Sequence, residues 1–208
     1  MAAMKKTIKT KDGKLYVISG ASRSGKTWFT TKEATKAKRV IAWDPEDQWA
    51  ELPGFVRITK KADLLKAVQK RGPAKIAYVA GGNLTKQFDY FCGCAFYWGR
   101  YCGPCNVIGE ELADVSTPNK APGNWGILLR RGLKRGISIY AISQRWAEAD
   151  KTAIGNATEF IIFRSVGDDA RYMSRKTGVS VESITGMKQL DFVRYCTATG
   201  RGVRGRMQ

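Results

Sequence analysis

Leu15-Tyr16-Val17-Ile18-Ser19-Gly20-Ala21-Ser22-Arg23-Ser24-Gly25-Lys26-Thr27 is the stretch on which the fold turns. Its first five residues are mostly apolar and read as a buried strand. Gly20 and Gly25 bracket a loop, and Lys26 opens a helical pattern over residues 26–36. Residues 20–27 satisfy G-x4-G-K-[ST] at every defined position, in the strand–loop–helix setting the motif requires. The glycines let the backbone curl. The N–H groups of Gly20, Ala21, Ser22, Arg23, Ser24, Gly25, Lys26 and Thr27 then form a cradle for phosphate oxygens at a helix N-terminus. In this arrangement Lys26 reaches the terminal phosphates and the Thr27 hydroxyl ligates Mg²⁺. A nucleoside triphosphate is the expected ligand. The sequence has no Asn-Lys-x-Asp for reading guanine, which favours ATP.

Outward from this stretch, β-branched runs alternate with helical patterns. Strands are expected over residues 39–43, 55–58, 75–79, 105–109, 137–142, 159–164 and 192–196. Helices are expected over 62–70, from an Asn83 cap to about 100, over 124–134 and over 168–176. Alternation of this kind implies an α/β fold, with a mostly parallel central sheet covered on both faces by helices. Residues 1–208 read as a single domain. It has a basic N-terminal extension over about 1–13 and a basic, Gly-rich tail over about 198–208, expected to be solvated.

Ligands of such sheets lie beyond the C-terminal ends of the strands. The loop at Gly20, Asp44, Glu110, Glu111 and Gln144 all fall at predicted C-terminal strand ends. Triphosphate hydrolysis needs a second carboxylate for the Mg²⁺ shell and a base that orients water. Val107-Ile108-Gly109-Glu110-Glu111 supplies both: Glu110 beside Thr27 at the metal, Glu111 at the water. Asp44 either begins a turn with Pro45 or touches the metal shell or the attacking water. Gln144 is placed to sense the γ-phosphate. Arg130 and Arg131, on a predicted helix, are candidates for an Arg that stabilises transition-state charge on a neighbouring subunit.

The composition narrows the chemistry. Thirty-six Lys and Arg against 18 Asp and Glu leave a net charge of +18 on 208 residues. Such an excess favours polyanions through counterion release. Histidine is absent, so His bases, His ligands and Ser-His triads are excluded. Four of the five cysteines, Cys92, Cys94, Cys102 and Cys105, fall close together. They read either as a structural zinc site or as reduced thiols packed in and after a helix. The tight C-x-C half and the strand start at Cys105 favour packing. No apolar run approaches the roughly 18 residues of a membrane span, and no signal peptide is visible, so an intracellular protein is expected.

In order along the chain stand GASRSGKT after a strand, a strand ending in WDPEDQW, then NVIGEE, then RRGLKRGISIYAISQR. This set resembles the FtsK/HerA superfamily of DNA-translocating ATPases over roughly residues 14–164. It is most similar to the genome-packaging ATPases of tailless, membrane-containing icosahedral viruses. The resemblance implies a RecA-like (ASCE) P-loop core, ATP and Mg²⁺, and a ring of subunits, often a hexamer. It also implies double-stranded DNA moved through the central pore, packaging a viral genome into a preformed capsid. Capsid or portal-vertex proteins would be partners, in the host cytoplasm or at the virion's packaging vertex. Lys26 and Thr27 would bind nucleotide and metal, Glu110 would take the second acidic position, Glu111 would be the catalytic carboxylate and Gln144 the sensor. Glu110 departs from the Asp usual at its position. The loop over residues 114–124 and the basic tail are candidates for pore or capsid contact. Rival readings are a filamentous-phage assembly ATPase, a small-molecule kinase and a nucleotide-gated binding module without turnover.

Overall fold

The computed structural model describes residues 11–119, 121 and 123–208. Residues 1–10 of the basic extension, and Lys120 and Pro122 of the loop after Glu111, lie outside the described residues. Among the described residues, nine strands form one sheet. They are β1 (Leu15–Ser19), β2 (Arg39–Trp43), β3 (Phe55–Ile58), β4 (Ala74–Tyr78), β5 (Cys105–Gly109), β6 (Ile137–Ser143), β7 (Glu159–Phe163), β8 (Asp191–Cys196) and β9 (Arg201–Arg206). The spatial order is β3-β4-β2-β5-β6-β1-β7-β8-β9. The pairs from β3 to β7 are parallel, and β8 and β9 continue the sheet antiparallel.

The helices are α1 (Lys26–Ala34), α2 (Lys61–Val68), α3 (Leu84–Cys102), α4 (Gly123–Arg131), α5 (Lys151–Asn156), α6 (Gly167–Thr177) and α7 (Val181–Thr185). Local chemistry sets their ends. Asn83 Oδ1 accepts the Lys86 N–H at 3.0 Å and starts α3, while Gly103, at φ 107°, and Pro104 stop it. Asp168 and Asp169 in the first turn of α6, with Arg175 and Lys176 in its last, suit the helix dipole. The 3₁₀ turns Leu112–Asp114 and Leu133–Arg135 flank α4, which therefore ends earlier than its pattern suggests.

Alternate strand residues feed two cores. Val17, Ile41, Trp43, Tyr78, Val107 and Ile139 face α2 to α7. Ile18, Val40, Ala42, Ile108, Ile142 and Phe163 face α1 and Trp49. Coverage is thus unequal rather than matched on the two faces. Along α3, Phe88 and Phe91 meet Trp43 with ring centroids 5.3 and 5.9 Å apart, in the edge-on and tilted geometries aromatic rings favour.

One expectation is corrected. The basic tail is not a loose end: residues 201–206 form β9 along β8, and Arg206 pairs with Asp191 at 2.9 Å. The Arg-Gly-Val-Arg-Gly-Arg composition hides a strand because glycine serves close packing there. A Cβ at Gly205 would lie 2.5 Å from the Phe192 ring. The clustered cysteines are free thiols, and no His/Cys/Asp/Glu group able to hold a metal occurs among the described residues. Burial pushes the Cys94 thiol up to about 11 and Cys105 up to about 12, the behaviour of packed, unreactive sulfur.

Candidate nucleotide site

Four consecutive strands, β2-β5-β6-β1, end side by side. The residues that follow them are Asp44, Glu110 with Glu111, Gln144 and Gly20. The predicted convergence on one sheet edge is therefore what the strand order produces.

The loop over residues 20–27 is tightly curled. Arg23 and Gly25 have φ of 58° and 120°. A Cβ at Gly20 would lie 2.5 Å from Ser24 Oγ and 2.7 Å from Phe163 Cβ, so glycine is needed there for space. Lys26 is buried, and its ammonium donates to the carbonyls of Gly20 at 2.8 Å and Ala21 at 2.9 Å. An ammonium has three hydrogens, so one donor remains for a ligand oxygen. Burial lowers the Lys26 pKa, against the opposing pull of Glu111 and Glu110. Ser24 Oγ is buried within the curl and has no hydrogen-bond partner among the described residues.

The acidic pair divides its work. Glu110 is buried. Its Oε1 accepts the Thr27 hydroxyl at 3.2 Å, and its Oε2 accepts the Trp49 indole N–H. Burial pushes this carboxyl up to about 7. The bonds from Trp49 and Thr27 oppose that shift, while the charges of Glu111 and Asp44 add to it. Glu111 turns back sharply, at φ 47°, and its Oε1 accepts from Gln144 Nε2 at 2.8 Å. One carboxylate thus faces the Thr27 side and the other the Gln144 side.

Asp44 is fully buried, and both its oxygens are engaged by backbone. Oδ1 accepts the Gln48 N–H at 2.8 Å and Oδ2 the Ala50 N–H at 2.9 Å. Burial raises its pKa despite these bonds. Its geometry is that of the turn builder. Arg130 and Arg131 are exposed at the end of α4. That helix returns the chain from the end of β5 to the start of the parallel strand β6, so its last turn lies at the opposite sheet edge. There Leu133 O accepts the Gly13 N–H, two residues before β1. The structure does not bring these arginines to the loop of their own chain.

Residues from outside the motif brace the loop from the other side. Ala21 N–H donates to Arg164 O at 2.9 Å, Leu190 N–H to Ser24 O at 3.1 Å, and Gln189 Nε2 to Arg23 O at 3.2 Å. Arg164, Gln189 and residues 21–24 wall a cleft of about 280 Å³. Gln189 and Leu190 lie in a polar linker with no motif. Trp49 closes the WDPEDQW run, where nothing in the sequence distinguishes it.

No model of a known protein family matches the chain. It is 35% identical over 141 residues to Protein P9 of Pseudoalteromonas phage PM2, a match over 67% of this chain and 63% of that protein. The chain therefore spans less than two thirds of the curated relative it matches. In structure it is similar to the genome packaging NTPase B204 from Sulfolobus turreted icosahedral virus 2 in complex with AMPPCP. The TM-score is 0.77 at 15% identity, over 94% of this chain and 98% of that one. The bacterial conjugative coupling protein TrwBdeltaN70 gives a TM-score of 0.64 at 8% identity, over 93% of this chain and 84% of that one. The fold is the RecA-like P-loop NTPase fold shared with these two solved structures. Among the described residues, no helix is long and apolar enough to cross a membrane.

Proposed function

We propose that this chain is an ATPase that drives double-stranded DNA, packaging a viral genome into a preformed capsid. The observation that carries the reading is the row of groups on adjacent strand ends. Glu110 meets Thr27 at 3.2 Å and Gln144 meets Glu111 at 2.8 Å, beside the phosphate loop. The likeness to the genome packaging NTPase B204, the 35% identity to Protein P9 and the net charge of +18 support it.

The donor set suits Mg²⁺. Thr27 Oγ1 and Glu110 Oε1 are hard oxygens 3.2 Å apart. Neighbouring ligands of an octahedral Mg²⁺ stand about 3 Å apart. A carboxyl pushed up to about 7 beside two others is also the setting a divalent cation relieves. Thr27 and Glu110 would hold the ion, which when bound supplies charge neutralisation to the phosphates.

The chain's own residues then divide the reaction. Backbone N–H groups of residues 20–27 and the free hydrogen of Lys26 bind the phosphate oxygens. Glu111 accepts a proton from the attacking water as the new P–O bond forms and the bond to ADP breaks. Gln144 holds Glu111 and loses a neighbour when the γ-phosphate leaves. A cationic face binds the DNA backbone rather than its bases, making movement independent of sequence. Copies of the chain form a ring, a hexamer in the simplest case. Arg130 or Arg131 of one subunit serves the nucleotide of the next. The ring works with capsid or portal-vertex proteins at the packaging vertex, in the host cytoplasm.

The test is the ATPase rate with and without double-stranded DNA, for the wild type and Glu111→Gln. Turnover stimulated by DNA and lost in the variant supports the reading. A rate indifferent to DNA removes the motor, and sizing with ATP checks the ring.

A further inference from the structure

Trp49 is fully buried in the segment between β2 and β3, and its ring packs on Phe55 with centroids 5.9 Å apart. Its indole N–H is directed to Glu110 Oε2, leaving Oε1 to the Thr27 hydroxyl. The turn presenting Trp49 is built by Asp44, whose two oxygens take the N–H groups of Gln48 and Ala50, one residue on either side of the tryptophan. A chain of contacts thus runs from Asp44 through the turn to Trp49, then Glu110, then Thr27.

The chemistry of each link is specific. Glutamate has one more methylene and one more rotor than the aspartate usual at this position, so its carboxylate needs fixing before it can present an oxygen in one direction. Indole is a donor only, always neutral and never a proton source. It fixes the carboxylate without cancelling its charge, whereas Arg or Lys in its place would compete with a metal cation. We infer that Trp49 is a positioning residue that aims the long Glu110 carboxylate at the Mg²⁺ position beside Thr27, and that Asp44 acts through Trp49 rather than on the reacting atoms. The inference rests on the reading of Glu110 as a metal-shell residue.

The experiment is a double-mutant cycle read by Mg²⁺ titration. The readout is the Mg²⁺ concentration that half-saturates binding of a fluorescent ATP analogue, with melting temperature followed in parallel. Trp49→Phe keeps a ring against Phe55 and removes the N–H. In the Glu110 background it raises the Mg²⁺ midpoint about 10-fold, the scale of losses when a group orienting a ligand is removed. Binding without Mg²⁺ is unchanged. In the Glu110→Asp background the same change moves the midpoint less than about two-fold, because the shorter carboxylate no longer meets the indole. Glu110→Gln is the reference that separates the two readings. If it raises the midpoint while Trp49→Phe leaves it at the wild-type value, the Trp49 inference falls and the Glu110 reading stands. If Glu110→Gln leaves the midpoint unchanged, both fall. Equal shifts from Trp49→Phe in both backgrounds also overturn the inference, since they mark general loosening. Should Trp49→Phe not fold, Asp44→Asn disturbs the same turn and is read through the same cycle.

Discussion

Gln144 Nε2 donates to Glu111 Oε1 at 2.8 Å, so the residue following β6 holds the second residue after β5 across neighbouring strands. Glu111 sits in the left-handed region at φ 47°, a placement of order 1–3 kcal/mol in cost for a residue with a side chain. The Gln144 bond fixes the direction of a carboxylate carried on a strained backbone. If Glu111 is the base proposed above, Gln144→Ala should lower kcat about 10-fold through its misplacement, with the ATP KM nearly unchanged. Glu111→Gln should lower it roughly 10²- to 10⁴-fold, the range for loss of a general base. Steady-state kinetics at saturating Mg²⁺ checks both. A Gln144→Ala enzyme at full kcat would show that the pairing has no part in turnover.

The phosphate loop predicts a glycine effect that can be told from mere presence of a methyl. Gly25 lies at φ 120°, and a Cβ there would stand 3.0 Å from Phe163 Cε1 and 3.1 Å from Leu190 Cδ2. Gly25→Ala should lower the melting temperature by about 2–8 °C and weaken nucleotide binding more than about 10-fold, from strain of roughly 1–3 kcal/mol. Gly72→Ala is the control, because a Cβ at Gly72 meets nothing within 4 Å. Equal melting shifts in the two variants would contradict the role given to the left-handed backbone.

Much of this site was legible because its signals are local. Residues 15–27 carry strand, loop and helix in one run, and strand ends at Asp44, Glu110 and Gln144 follow from where β-branched runs stop. Side-by-side placement needed only the rule that parallel sheets gather ligands at one edge. The rest depends on contacts distant in sequence. Trp49 meets Glu110 across 61 positions, and Gln189 meets Arg23 across 166. Neither pairing leaves a periodic or compositional trace. Residues 201–206 read as a tail because glycine disfavours strands in general and a run of arginines reads as solvated, and packing on Phe192 overrides that preference.

Glu159 makes a small pH-dependent contribution to the stability of the fold. Burial pushes its carboxyl up, but hydrogen bonds from Arg194 and from Lys14 at 2.7 Å outweigh that and hold it below its ordinary 4.5. A depressed carboxyl stabilises the fold above its unfolded-state pKa, and this contribution disappears as pH falls through the folded value. The advantage of wild type over Glu159→Gln, taken from urea midpoints, should be constant between about pH 6 and 8 and shrink below about 4.5. Both partners are substantially exposed, so its size at neutral pH is about 1 kcal/mol and falls with salt. An advantage independent of pH down to 3 would contradict the ion-pair account.

The C-terminal hairpin reaches the nucleotide loop through backbone alone, which predicts an effect at a distance. Met207 N–H donates to Leu190 O at 3.0 Å, and Leu190 N–H donates to Ser24 O at 3.1 Å. Leu190 itself is left-handed at φ 69°, a conformation its neighbours must enforce. Deleting residues 201–208 removes β9 and the Met207 bond, freeing Leu190 to relax away from Ser24 and Gly25. Nucleotide affinity should fall about 5- to 10-fold, equivalent to one or two hydrogen bonds, although no deleted residue lies in the loop. Arg204→Ala keeps the backbone pairing with Val193 and should leave nucleotide affinity unchanged while reducing affinity for polyanions. If the truncated protein still melts cooperatively and binds ATP at wild-type affinity, the hairpin does not brace the loop. If Arg204→Ala alone reproduces the loss, charge rather than strand pairing is the link.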